Sequence, residues 1–432
     1  MTTETFNDDL LRFLDDSPTP FHAVANLRGR LTAAGFVELR ETESWALSQP
    51  CNYFVVRGGS SLVAFSLGAN SVVEQGLQMI GSHTDSPCLK LKPNAAFKAN
   101  GYWQLGVEVY GGVLLNPWFD RDLSLAGRVT LRRGNGELIE RLVDFQRAVA
   151  IIPSLAIHLD RQANEQRSIN AQTYLPAIVA LDSEPFDLDG EILKQLTCDD
   201  EPLLDAEVVS TDLSLYPCEK AGYVGLRNEF IASARLDNLL SCFVGVRTLI
   251  DTKSELNRLI VCNDHEEVGS NSVVGASGTL LKSVIERLAK TNEAYSRTIG
   301  NSTLVSTDNA HGVHPNFSDR HDSQHLPTLN AGPAIKVNSN QAYASNSNTV
   351  SIFKQACRRA DVTAQSFVSR ADVRCGSTIG PLTATVLGVQ TVDVGVPTFA
   401  MHSIRELAGS EDAYSLYLAL GCFFEQRDQV AT

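Results

Sequence analysis

The chain has 432 residues, 43% hydrophobic and 20% charged, a composition suited to a globular protein with a large core and a length that allows two or more domains. Fifty acidic against 36 basic side chains give a formal charge of -14 with no Lys/Arg block, which argues against a nucleic-acid partner because neutralising phosphate takes a basic face. Residues 1–9 are acidic and polar rather than a secretory signal, no apolar run nears the ~18 residues that cross a bilayer, and the nine scattered Cys form no C-x-x-C pair, so the expectation is a cytoplasmic protein with buried free thiols and no membrane partner.

The chain opens with helical spacing: Phe6, Leu10, Leu11 and Leu14 share one apolar face. Ser17-Pro18-Thr19-Pro20 breaks that helix, and a second is expected from about Phe21 until Gly35 stops it. Strand-like runs follow at 53–57, 61–67 and 78–81. From about Lys90 to Phe230 helical periodicity is scarce, Gly and Pro recur, and alternating runs such as Gly127-Arg128-Val129-Thr130-Leu131-Arg132 predict mostly β structure. Beyond Leu236 the patterns alternate again: a helix to about Asp251, a strand near 258–262, a helix near 279–290, a strand near 302–306, then helices and strands to the end. Such alternation predicts an α/β fold, a mixed central sheet flanked by helices. Residues 1–90 plus 232–432 are expected to form that domain, with 91–231 inserted as a β-rich domain.

Five short runs stand at predicted strand or helix ends. Gly81-Ser82-His83-Thr84-Asp85 follows the apolar run ending at Ile80, and Asp264-His265-Glu266-Glu267 follows Leu259-Ile260-Val261-Cys262. Asp308 follows Thr303-Leu304-Val305, His402 comes after 391–397, and Asp237 opens a helix. Open α/β sheets bind ligands at the carboxyl ends of their strands, so these residues are expected to meet at one sheet edge. Taken singly, each has a plain structural reading: a strand-end His, a solvated glutamate turn, a helix-capping Asp237. Taken together they offer two His, two Asp and two Glu, enough for two metal ions sharing a carboxylate. Imidazole and carboxylate donors without thiolate suit Zn, Mn or Co better than a structural Zn–Cys site. Asp85, two residues after His83, is placed to hydrogen-bond the far ring nitrogen and fix its tautomer. There is no HExxH, no phosphate-binding loop and no GxSxG elbow.

At this point the sequence resembles, nearly end to end, the aspartyl aminopeptidase and vacuolar aminopeptidase I family of co-catalytic metallopeptidases. The resemblance rests on Gly81-Ser82-His83-Thr84-Asp85-Ser86-Pro87, Leu89-Lys90-Leu91-Lys92-Pro93, Ile157-His158-Leu159, Ala234-Arg235-Leu236-Asp237-Asn238 and Asp264-His265-Glu266-Glu267-Val268-Gly269-Ser270. It continues through Asp308-Asn309-Ala310-His311, His314-Pro315-Asn316, Gly332-Pro333-Ala334-Ile335-Lys336-Val337-Asn338, Cys375-Gly376-Ser377-Thr378-Ile379-Gly380-Pro381 and Met401-His402-Ser403-Ile404-Arg405-Glu406. It implies two divalent ions per chain, Zn in the first place with Mn or Co as alternatives. His83 and Asp308 would bind one ion, Glu267 and His402 the other, and Asp237 would bridge them. Glu266 would be the general base, with Asp85 and His158 also catalytic, His158 reaching a neighbouring subunit's site. Lys336, His311, Tyr343 and Gly380 would contact substrate, with Lys336 favouring an acidic first residue. Family members commonly carry Arg where Ala342 stands. The resemblance also implies a β-rich oligomerisation domain, a large closed homo-oligomer (typically a tetrahedral dodecamer) and peptide substrates. A co-catalytic deacylase or carboxypeptidase, and a non-catalytic metal-binding assembly protein, are the alternative expectations.

Overall fold

A computed structural model describes residues 1–48, 51–199, 203 and 205–428, without the side chains of residues 198 and 199. Its main sheet has nine strands in the order Val37–Glu38, Cys51–Arg57, Ser61–Leu67, Arg258–Asn263, Gln78–His83, Thr303–Thr307, Gln390–Gly395, Ala334–Lys336, Gln365–Phe367. The four strands from Arg258–Asn263 to Gln390–Gly395 run parallel, so their carboxyl ends share one edge. Antiparallel partners close both flanks.

The central strands are buried along their whole length, as expected of strands covered on both faces. Alternation then sends successive side chains to opposite layers. Ile80, Ile260 and Cys262 pack with the helices Thr3–Asp15, Pro20–Ala33, Leu236–Asp251, Ser347–Arg359 and Asp412–Glu425. Met79, Leu259 and Val261 pack with Leu280–Ala289 and Asn292–Gly300. The first helix buries Phe6, Leu10, Phe13 and Leu14 and begins with a capping box between Thr2 and Thr5. The α/β expectation holds.

The chain divides into two compact units. One gathers Met1–Asp85, Ala221–Met401 and the chain from Glu406 on. It also contains a five-stranded sheet whose strands include Phe230–Ser233, Pro397–Phe399 and Glu406–Gly409. The other comprises Ser86–Lys220 and His402–Arg405, built on a six-stranded antiparallel sheet with its own core around Leu125, Leu131, Leu213 and Leu215. This second unit also contains a helix, Leu188–Asp199, which the scarce helical periodicity of that stretch did not announce. The eight cysteines with described side chains are free, but only Cys242, Cys262 and Cys357 are buried. The other five are half-buried, which corrects the expectation of uniformly buried thiols.

Candidate metal centre

The parallel strands deliver their C-terminal residues to one edge. His83 ends Gln78–His83, Asn263 ends the strand beside it, and the two are register partners. Directly after Asn263 comes the turn with Glu266 and Glu267, entered through His265 in the left-handed region (φ 61°). Asp308 follows Thr303–Thr307, and Asp237 stands at the start of Leu236–Asp251 with non-helical backbone angles. A ligand atom of each of His83, Asp237 and Asp308 lies within 4.8 Å of the other two, and the same holds for His83, Glu266 and Glu267. His83 Nε2 is 3.4 Å from Asp237 Oδ1 and 3.5 Å from Asp308 Oδ1.

Asp85 faces the far ring nitrogen of His83 and holds the neighbouring glutamate turn as well. The strand stops at His83, and the ring Nδ1 meets the Asp85 backbone carbonyl at 3.0 Å while the carboxylate lies at 3.4 Å. The carboxylate oxygens also accept the backbone N–H groups of Glu266 (3.1 Å) and Glu267 (3.0 Å). Asp85 thereby fixes the glutamate turn, and its carbonyl orients His83 so that Nε2 faces the acids.

These acids are crowded out of water, and that disfavours their charged forms. Burial raises the Glu266 carboxyl to about 7, opposed by the charge of His83 and reinforced by Asp308, Asp237 and Asp85. Burial, then the charge of Asp237, pushes Glu267 well above the ordinary carboxyl range. Burial alone would lower the His83 ring, but hydrogen bonds with Asp237, Asp308 and Asp85 outweigh it and raise it. A buried ring of mutually repelling carboxylates with one imidazole is the environment a divalent cation relieves, and the all-N/O donor set suits Zn, Mn or Co. The residues fit such an ion.

His402 belongs to the second unit, in segment His402–Arg405. Its Nδ1 lies 3.1 Å from the Gly112 carbonyl. That partner makes Nδ1 the donor of the neutral ring, so Nε2 carries the lone pair, the form a metal ligand requires. His158 lies on an exposed turn of the same unit, between exposed Ile157 and Leu159.

The residues expected to meet substrate divide sharply. Lys336 is buried, its Nζ 3.1 Å from both Asp308 Oδ2 and the Asn309 carbonyl, and 5.2 Å from the centre of the Tyr343 ring. Tyr343 is buried with it, whereas His311 is exposed with its ring edge against Phe367. Gly380 is buried, and a Cβ there would fall 2.2 Å from Asp393 Oδ1, so its lack of a side chain is explained by packing against Asp393. Two buried acids were given no role from the sequence. Glu406 accepts the Asp237 backbone N–H at 2.9 Å, and Asp393 binds the chain near Tyr343 and Gly380. Glu406 ends the run 401–406 and Asp393 is the cross-strand partner of Lys336. Only a known strand pairing would have exposed the second.

Comparison with known proteins adds an independent line. A family model described as aminopeptidase I zinc metalloprotease (M18) matches residues 13–424. The chain is 53% identical over 425 residues to a probable M18 family aminopeptidase 2 of Pseudomonas syringae pv. syringae, covering 98% of both chains. Among solved structures it resembles one titled the Ape4 and Nbr1 complex, with a TM-score of 0.94 and 39% identity over 98% of this chain and 86% of that one. It is also similar to the S. cerevisiae mApe1 dodecamer, with a TM-score of 0.83 and 29% identity over 96% of this chain and 95% of that one.

Proposed function

The chain belongs to the M18 family of zinc aminopeptidases, and from that premise we propose that it removes acidic first residues from unblocked peptides, with Glu266 as the general base. Membership makes it a hydrolase and selects aminopeptidase over deacylase or carboxypeptidase. One observation carries the finer reading: the adjacent pair Glu266 and Glu267, clamped by Asp85 beside the buried group His83, Asp237 and Asp308.

His83 and Asp308 would hold one ion, Glu267 and His402 the other, and Asp237 would serve both. Bound there, two divalent ions would lower the pKa of a water and polarise the scissile carbonyl. Glu266 takes the water proton and returns it to the leaving amine, a task suited to a carboxylate that stands beside the metal-binding group without being needed as a ligand. Lys336 spends two of its three N–H groups on Asp308 and the Asn309 carbonyl. The third is the one offered to an acidic substrate side chain, and a neutral first residue would leave it unpaired. His311 and Tyr343 line the same approach, and Gly380 belongs to its framework.

The β-rich unit would mediate assembly, and likeness to a dodecameric relative supports a closed homo-oligomer in which His158 completes a neighbour's site. No described helix is long and apolar enough to cross a membrane, and the free thiols support action in the reducing cytoplasm. The test compares release of the first residue from unblocked and N-acetylated peptides, headed by Asp, Glu or Leu, with Zn, Mn or Co added. Expected is cleavage of unblocked peptides with Asp and Glu ahead of Leu. Equal cleavage of blocked peptides would overturn the aminopeptidase reading, and a lead for Leu would overturn the acidic preference.

A further inference from the structure

Asp393 lies within strand Gln390–Gly395 and is fully buried, yet no step of the reaction above uses it. A carboxylate removed from water is costly unless fixed donors replace the lost hydration. Here the donors come from two separate segments. Thr378 Oγ1 donates to Oδ1 at 2.7 Å, and the Ala344 backbone N–H donates to Oδ2 at 2.6 Å. The Asp393 N–H in turn donates to Ser345 Oγ at 2.9 Å. The Thr378 hydroxyl also accepts the Gly380 N–H at 3.2 Å and so caps the helix Ile379–Leu387.

Asp393 is the register partner of Lys336 on one side and of Ser306, two residues before Asp308, on the other. Ala344 and Ser345 follow Tyr343, whose ring lies beneath the Lys336 ammonium. Lys336 sits opposite Asp393 across the sheet and reaches Asp308 at its other end. Charges therefore alternate from Asp393 through Lys336 and Asp308 to His83, all in one unit. Gly380 completes the arrangement, because any side chain there would occupy the space of the Asp393 carboxylate.

We propose that Asp393 is the positioning residue of the first-residue pocket: its two carboxylate oxygens tie segments 343–345 and 376–380 to the strand opposite Lys336. The pocket wall then keeps a fixed distance from the residues that hold the metal. This rests on the aminopeptidase reading, so its test carries a readout independent of turnover.

Thr378→Val removes the donor at nearly constant shape, Thr378→Ser restores it, and Asp393→Asn neutralises the acceptor. Each zinc-loaded variant is assayed for KM and kcat on short unblocked peptides, for metal content, and for backbone hydrogen exchange over residues 338–346 and 374–380. Thr378→Val and Asp393→Asn should raise KM by about 10- to 100-fold, the loss expected of a hydrogen bond to a charged group. Metal content should stay at the wild-type value, exchange in both segments should quicken, and Thr378→Ser should match wild type throughout. Unchanged KM and exchange in Thr378→Val would overturn the proposal even if Asp393→Asn failed to fold. Loss of metal would overturn it too, by showing that Asp393 acts through Lys336 on Asp308. A wild type that cleaved no unblocked peptide would overturn the aminopeptidase reading, and the exchange comparison would still decide whether Asp393 holds the two segments.

Discussion

Glu266 and Glu267 are neighbours in one turn, and the proposed scheme uses only Glu267 as a ligand. Glu266→Gln should therefore retain metal while losing ~100- to 10,000-fold in kcat, the usual range for a missing general base. Metal analysis and kinetics on the purified variant check this, and substantial residual turnover would reassign the base. Asp237→Asn should fail in the opposite way if, as proposed, its carboxylate serves both ions, because neither site would then be complete. Less than one metal per chain is expected at micromolar free zinc, and full occupancy would show Asp237 to be only a helix cap. The gathering of His83, Asp237 and Asp308 was legible because each stands at the end of an apolar strand or the start of a helix. The partners of Glu406 and Asp393 were not. Each acid binds a backbone N–H far away in the chain, at Asp237 and at Ala344, and sequence spacing carries no trace of such contacts. Asp85 was legible in part: its place at the His83 ring nitrogen followed from their spacing, while its hold on the turn 181 and 182 residues downstream did not.

Among the elements, helix Ile379–Leu387 carries a glycine with no room for a side chain. Gly380→Ala would improve helix propensity, but the new Cβ would meet Asp393 Oδ1 at 2.2 Å and the carboxylate carbon at 2.6 Å. Overpacking of this kind costs about 1–3 kcal/mol, so the variant should be less stable in denaturant titration by that order. An unchanged midpoint would mean that the carboxylate has room to withdraw. The central strands of the main sheet were legible because their apolar runs agree with burial on both faces, whereas the short edge strands Val37–Glu38 and Gln365–Phe367 carry no such run. Helix Leu188–Asp199 was not legible either: among its described side chains the buried apolar ones are Ile192 and Leu196, one i,i+4 pair in a stretch dominated by alternation.

At the scale of the molecule, the proposed role of His158 predicts rescue between inactive chains. Its turn exposes Leu155, Ile157 and Leu159, apolar groups that association would cover. A Glu266→Gln chain donates an intact His158, and a His158→Ala chain donates an intact metal site. Co-expression should restore activity well above either parent, and mixed assemblies with only the parental background would confine His158 to its own chain. The strand order has a further consequence, one of timing. Both neighbours of Gln78–His83 in the sheet, Arg258–Asn263 and Thr303–Thr307, lie downstream of it, so the strand emerges about 175 residues before the first of them. At translation speeds of ~5–20 residues per second, that is roughly 10–35 s with Met79 and Ile80 unpaired. The six-stranded unit is made during this wait and can fold meanwhile. Faster elongation between residues 86 and 257 should shorten that exposure and raise the soluble yield, and an unchanged soluble fraction from a codon-accelerated gene would show that the wait is harmless.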